Sequence, residues 1–358
     1  MGASPIAFPP TFPGTVSVVV TVLKDPRVAR TLESLLVQDR RPDQILVDDG
    51  GRGDEVRRIA EGFSARDPRV RHLNAPGNIP ESRNAALLTA TGEFVAFLDA
   101  DEVAPPGWLR ELLGPFADPK VGFTGGPTPA LAGTARGIGA RYYDGYLRRF
   151  YDRVVRLRPY ALPMGNSAWR AQVFRDVGLL DTTLYRRAAS EDQEVAVRAL
   201  SAGWRGVYVP SAWVDHDFSD LTTWGLLRKQ RIYAEGGFVV WRRRGTTYEA
   251  TWARVLPYVA LPGLIVLGAV LAIFPWTRFV GELLLAVGGG GLGLLALGLT
   301  VQGLGEDRRY PGLRYKAFEI PRRWATLWGA FQGLRHYGWR GRGRGATGGA
   351  ATPPIDKR

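Results

Sequence analysis

Two stretches in the C-terminal third, residues 255–277 and 283–305, contain no charged side chain. Each is long enough to cross a hydrocarbon core of about 30 Å as a helix. Runs of this length leave two outcomes: a hairpin of transmembrane helices, or a helical hairpin buried in a soluble domain. Pro257 and Pro262 in the first run are better tolerated in a membrane helix than in a soluble one. Gly289 and Gly293 in the second form a small-xxx-small pair suited to close helix contact. The outer flanks are basic, with Arg242, Arg243, Arg244 and Arg254 before the hairpin and Arg308, Arg309, Arg314 and Lys316 after it. By the positive-inside rule, both termini and the large N-terminal part lie on the cytoplasmic side of a cell membrane, in a multi-pass arrangement.

Charge and composition fit that reading. Net charge is +13, from 47 basic and 34 acidic residues, which points to a polyanionic partner such as an anionic lipid surface or phosphate-bearing substrates. The absence of cysteine excludes disulfides, thiolate catalysis and Cys-ligated zinc. Residues 1–14 carry no basic group and read as a flexible N-terminus rather than a signal peptide, and Ile6 breaks the myristoylation pattern. Residues 241–254 read as a basic juxtamembrane segment. Residues 306–339 mix arginines with Trp324, Trp328, Phe331, Tyr337 and Trp339, as an amphipathic interfacial element does. The Gly/Arg-rich tail, 340–358, reads as disordered chain against anionic lipid, with nucleic acid the less favoured partner.

Residues 15–240 alternate strands and helices. The β-branched run 16–22 has the continuity of a strand covered on both faces. In 27–38, Val28, Leu32, Leu35 and Leu36 form one helical stripe. Strands at 44–48, 70–73, 94–99 and 206–210 and helices at 54–63 and 81–90 follow. The expected fold class is α/β, a mostly parallel sheet with helices on both faces. Ligands of such sheets bind at the carboxyl ends of the strands.

The acidic residues fall at those ends. Asp99-Ala100-Asp101 ends an apolar strand, where two carboxylates at i and i+2 either hold a divalent cation or simply cap the next helix. Asp48-Asp49-Gly50-Gly51 reads as a nucleobase contact or an ordinary turn. Ser190 and Gln193 match a capping box around Glu191 and Asp192, and a carboxylate there can also serve as a general base for a hydroxyl nucleophile. His216, between Asp215 and Asp217, is either structural or a metal ligand. The Arg- and Tyr-rich stretch 136–156 is either a solvated amphipathic helix or, with 228–244, a basic surface facing the membrane.

In this order, VSVVVTVLKD, ILVDDGG, ESRNAALLTATGEFVAFLDADE, MGNSAWR and SEDQEVAVRALSAGW resemble inverting family-2 glycosyltransferases of GT-A fold. Among these they are most similar to membrane-anchored enzymes of exopolysaccharide and glycolipid assembly, of the succinoglycan type. The resemblance spans roughly Val16 to Gly237. It implies a nucleoside-diphosphate sugar donor held by Val22, Leu23, Asp25, Asp49, Arg83, Asp99 and Ala100. It implies Mg²⁺ or Mn²⁺ on Asp101 and His216, an acceptor or donor loop drawing on Gly165, Asn166, Gln230 and Arg231, and Asp192 as base with Glu191 as second candidate. The acceptor is expected to be lipid-linked or a glycan. Leu23-Lys24-Asp25 departs from the family's usual first loop, and Gln230-Arg231-Ile232-Tyr233-Ala234 departs from the Gln-x-x-Arg-Trp of processive synthases, so one sugar per acceptor is expected. The competing classes are a nucleotidyltransferase, whose phosphate-gripping Gly-rich loop is missing near the first strand, and a non-catalytic basic membrane scaffold.

Overall fold

The computed structural model describes residues 8–51, 54–182, 189–244 and 252–337. The expected disordered tail (340–358), the first seven residues and the middle of the 241–254 segment lie outside these.

The chain starts with β1 (Phe12–Val22), α1 (Val28–Leu36), β2 (Gln44–Asp49), α2 (Asp54–Ser64), β3 (Val70–Asn74), α3 (Ile79–Leu87) and β4 (Gly92–Asp99). A short β5 (Glu102–Val103), α4 (Trp108–Leu113) and β6 (Val121–Gly125) follow. Next come α5 (Ile138–Phe150), β7 (Asn166–Arg170), α6 (Ala171–Val177), α7 (Glu191–Ser201), β8 (Arg205–Tyr208), β9 (Asp215–His216) and α8 (Thr223–Arg244). The last three helices are α9 (Trp252–Ala272), α10 (Arg278–Glu306) and α11 (Glu319–Tyr337).

One seven-stranded sheet has the order β3-β2-β1-β4-β7-β6-β8. All its pairings are parallel except the two made by β7. The expected α/β sheet is therefore present. Val16, Val18, Val19 and Val20 of β1 are wholly buried, as a central strand covered on both faces requires. The α1 stripe packs Val28, Leu32 and Leu35 into the same core. Chain order runs outward from β1 in both directions, which opens a crevice at the carboxyl ends of β1 and β4.

Two helix starts differ from expectation. α3 begins two residues early because Asn78 and Glu81 make a reciprocal capping box (3.0 and 2.8 Å), with Pro80 in the first turn. At α7 the expected Ser190/Gln193 box is not made. Ser190 is left-handed, with φ of 65°, its side chain makes no cap bond, and its Oγ donates to the Tyr233 carbonyl at 3.4 Å.

Among the described residues, only α10 is both long and apolar enough to span a bilayer. Its best 18-residue window has a mean hydropathy of 2.0 and is 6% buried. Apolar residues of α9 run over Leu256–Ala272. The two helices touch at glycines, though not at the expected pair. A Cβ on Gly268 would lie 2.7 Å from the Gly281 carbonyl, and one on Gly288 would lie 2.7 Å from Ile265 Cγ1, whereas Gly289 and Gly293 face open space.

The expected interfacial element is also more integrated than its composition implied. α11 packs on α8, with Gly329 against the Arg231 carbonyl and Gly333 against Phe238. Arg322 is wholly buried and donates to Tyr142, Glu319 and Gln230. Trp324, Trp328 and Phe331 form its exposed side. The end of α10 is tied to the α5 region. Glu306 pairs with Lys316 and Arg149 (both 3.1 Å), and Asp152 pairs with Arg309 and the Tyr310 hydroxyl (both 2.6 Å).

Gly281→Val should destabilise the α9–α10 contact by about 1–3 kcal/mol through overpacking, while Gly289→Val should not. Thermal unfolding of the detergent-solubilised chain, compared between the two variants, checks this.

Candidate functional site

The crevice is organised by Arg83, which α3 carries beneath the ends of β1 and β4. Its guanidinium donates to Thr21 Oγ1 (3.2 Å), Asp99 Oδ1 (3.0 Å) and Glu191 Oε1 (3.1 Å), and the residue is 5% exposed. A buried cation is tolerated only when paired in this way. Arg83 thus joins β1, α3, β4 and α7 at one point. Glu191 is buried by this pair. Burial, then the neighbouring Asp192, raise its pKa while Arg83 opposes them.

Asp192, the next residue of α7, is less enclosed. Its Oδ1 accepts from the Gln193 N–H (2.8 Å) and its Oδ2 from the Met164 N–H (3.3 Å). Burial raises its pKa, with Arg83 and those two N–H groups pulling the other way. With Glu191 committed to Arg83, Asp192 is the carboxylate of the pair available to a ligand.

Asp99 leaves β4 half-exposed, and Gly165 sits directly against its carboxylate, where any Cβ would collide with it. Ala100 is buried behind it. Asp101 faces β9, where His216 Nε2 lies 3.1 Å from its Oδ2 and His216 Nδ1 lies 3.5 Å from Glu102 Oε1. Burial pushes the Asp101 carboxyl up, but His216, Lys229 and Arg27 outweigh it and hold the group at about 2. Asp101 is therefore ionised at neutral pH. Asp99, Asp101 and His216 are oxygen and imidazole donors of the kind that Mg²⁺ or Mn²⁺ takes, with substrate phosphates usually completing the shell. The donor set fits such an ion. Among the described residues no group of three His, Asp or Glu side chains already converges on one point.

At the end of β2, Asp49 is buried, accepts from the Gly51 N–H (2.9 Å), and contacts His72 Nε2 of β3 at 3.2 Å. Asp48 alongside it is buried against Ser82 Oγ (2.6 Å), and burial raises its pKa to about 6. Val22 ends β1 buried, with its carbonyl accepting from the Gly50 N–H, while Leu23 is 61% exposed at the crevice mouth. Lys24 is left-handed, with φ of 54°. It and Ser190 are the two non-glycine residues with positive φ among those described, and both flank this crevice. Asp25 pairs with Arg27 (2.6 Å), and Arg27 reaches to 3.9 Å from Asp101.

Three of the residues expected in a ligand loop are placed elsewhere. Asn166 lies fully buried on β7 and spends its amide on the carbonyls of Pro127 and Ala212 and on Trp108 Nε1. Gln230 and Arg231 are on α8, bonded to Arg322 and Gln332 of α11. A helix-to-helix seam and a buried amide look the same in sequence as a polar loop.

Three residues that sequence reasoning did not single out belong to the site: His72, Glu102 and Lys229. Lys229 is one residue before Gln230, and its ammonium lies 6.0 Å from the centre of the Tyr233 ring. Its pKa is raised, first by Tyr233 and then by Tyr143, Asp101 and Asp99, against burial. Its charge in turn helps to lower the pKa of Asp101. Its position on a helix face in a basic run gave no sequence signal.

Residues 17–175 match the sequence model of Glycosyl transferase family 2. A "Pre-mycofactocin glycosyltransferase" of Mycobacterium tuberculosis is 31% identical over 220 residues, 58% of this chain and 44% of that protein. A "Glucosyl-dolichyl phosphate glucuronosyltransferase" of Haloferax volcanii is 26% identical over 58% of this chain and 71% of its own length. The chain thus spans less than half of the mycobacterial relative. Among solved structures, a mannosyltransferase from Pyrobaculum calidifontis in complex with GDP-Man and Mn²⁺ aligns with a TM-score of 0.56 at 16% identity. That alignment covers 93% of this chain and 91% of that one, and it shows the shared fold.

Asn166→Ala should lower stability by about 1–3 kcal/mol, because it strands the Trp108 N–H and two carbonyls. Nucleotide affinity should be unchanged. Denaturant unfolding and nucleotide titration on the same sample check both halves.

Proposed function

We propose that this chain, which carries a Glycosyl transferase family 2 domain in residues 17–175, moves a sugar from a nucleoside-diphosphate donor to an acceptor hydroxyl or phosphate in one inverting displacement. The observation that carries the reading is the position of Asp192, held by the Gln193 and Met164 N–H groups directly after Glu191, which with Asp99 is bonded to Arg83. It sets a carboxylate of raised proton affinity at the crevice by the strand ends. A sugar hydroxyl becomes a competent nucleophile as its proton is removed, and a positioned carboxylate typically contributes about 10²–10⁴-fold.

Asp49 and the glycines after it form the nucleoside end, with His72 fixing one oxygen of that carboxylate. Leu23 and Lys24 cover the mouth, and Asp99 faces the ribose side. Asp101 and His216 are the residues that would hold Mg²⁺ or Mn²⁺, which when bound supplies charge neutralisation for the departing diphosphate. Lys229 and Arg83 add fixed positive charge near Asp99 and Asp101. Asp192 takes the acceptor proton, and Glu191 keeps Arg83 in place.

In the same reading α9 and α10 form the membrane hairpin. The support is that the apolar window of α10 is almost wholly uncovered, whereas a soluble core helix buries its own. The catalytic part and both termini are assigned to the cytoplasmic side from the basic flanks. A lipid-linked or glycan acceptor, transferred to once per turnover, agrees with a sheet domain fastened to that hairpin through Glu306 and Asp152. The arginines of 136–156 have local partners. Arg149 is paired to Glu306, Arg153 lies against Tyr310 and Arg148 pairs with Asp144 at 3.0 Å.

Asp192→Asn should keep donor affinity and lower transfer by at least about 10²-fold. The base works only when ionised, so wild-type turnover should fall as pH drops through its folded pKa, which lies above the ordinary Asp value. Radiolabelled sugar transfer to membrane lipid extract across pH checks both, and unchanged turnover in the variant refutes the assignment.

A further inference from the structure

On the opposite side of β9 from the acidic crevice lies an open cavity of about 390 Å³. His216 turns toward Asp101, while its neighbour Asp215 lines this second space. Pro129, Arg148, Tyr151, Tyr208 and Trp213 make up most of the rest of the wall. The volume lies in the lower part of the range of small-molecule sites, about 300–1,000 Å³.

Three features mark it as more than a surface dent. Trp213 lines the cavity with 43% of its surface exposed, so its indole is open to a ligand. Tyr151 stacks on Tyr208, with centroids 6.1 Å apart and planes at 8°, and its hydroxyl is fixed by Thr128 Oγ1 at 3.0 Å. Tyr151 also opens a single π-helical turn, Tyr151–Val155, directly after α5. Such turns cost helix regularity and are frequent at functional sites. Tyr151, its first residue, lines the cavity.

The lining chemistry narrows the ligand. Aromatic and proline faces pack against C–H groups, and a carboxylate and a guanidinium at the rim exchange hydrogen bonds with hydroxyls. The charges nearly cancel. Arg148 is already paired with Asp144, and Asp215 would repel a phosphate. A neutral polyol ring fits this set better than an anion or a lipid tail.

We propose that this cavity is a second carbohydrate-binding site, which holds a sugar ring of the acceptor remote from the reacting hydroxyl. The proposal rests on the glycosyltransferase reading. Its wall shares the β9 backbone with the first site, since the His216 N–H donates to the Pro129 carbonyl at 2.9 Å. An acceptor anchored here is therefore one strand away from the Asp101–His216 pair. The site would select acceptors that already carry at least one sugar.

The test uses the full chain in detergent micelles, with cellotriose and maltotriose as probes and saturation-transfer NMR as readout. Wild type should transfer saturation to the ring protons of at least one probe. Trp213→Ala should weaken that signal about ten-fold. Arg148→Gln, at an exposed position that leaves the aromatic wall intact, should weaken it in the same direction. Nucleoside-diphosphate binding with Mn²⁺ should be unchanged in both variants. Equal transfer in wild type and both variants, or no transfer to either sugar in wild type, overturns the proposal. Loss of nucleoside-diphosphate binding in wild type, with sugar binding still dependent on Trp213, would remove the glycosyltransferase reading and leave the sugar site standing.

Discussion

A single buried guanidinium holds the site together. Arg83 bonds to a β1 threonine, a β4 aspartate and an α7 glutamate, so three elements far apart in sequence meet at one charge. Desolvating an arginine is costly, and only good geometry with two carboxylates offsets it. Removing one partner of such a pair typically costs about 3–5 kcal/mol, because an unpaired charge is left behind. That penalty is what keeps Asp99 and Glu191 fixed, and with them the neighbouring Asp192 and Asp101. Gly165 serves the same arrangement, since no side chain fits beside Asp99 there.

The sheet was legible because its cause is local. Valine runs with both faces buried, and a helix stripe at 28, 32, 35 and 36, determine element type without knowledge of partners. The carboxylates at strand ends followed from the same pattern, since the crevice of a parallel sheet lies there. Pairings between distant segments were not legible. The capping box at Asn78–Glu81 is as local as the one expected at Ser190–Gln193, yet only the first is made. Ser190 adopts a left-handed backbone and its hydroxyl turns toward Tyr233. Asn166, Gln230 and Arg231 read as ligand residues because buried amides and helix seams use the same side chains as binding loops. His72, Glu102 and Lys229 escaped because each earns its role from a neighbour on another element.

The C-terminal region follows from the same principle of paired charge. Its basic flank is partly spent on Glu306 and Asp152, which fasten the end of α10 to α5 and to the helical turn after it. The hairpin is thereby docked to the sheet domain rather than tethered to it. α11 completes the joint by burying Arg322 against Tyr142 and Gln230. The outcome is a crevice, a second aromatic cavity and an apolar hairpin, all connected through the region around α5 and β9.

The most direct test of this account is calorimetric titration of the full chain with nucleoside diphosphates, with and without Mn²⁺. Saturable binding of at least one nucleoside diphosphate, strengthened by Mn²⁺, is expected, with loss of that metal dependence in Asp101→Asn. Absence of binding by every nucleoside diphosphate, with or without the ion, would contradict it.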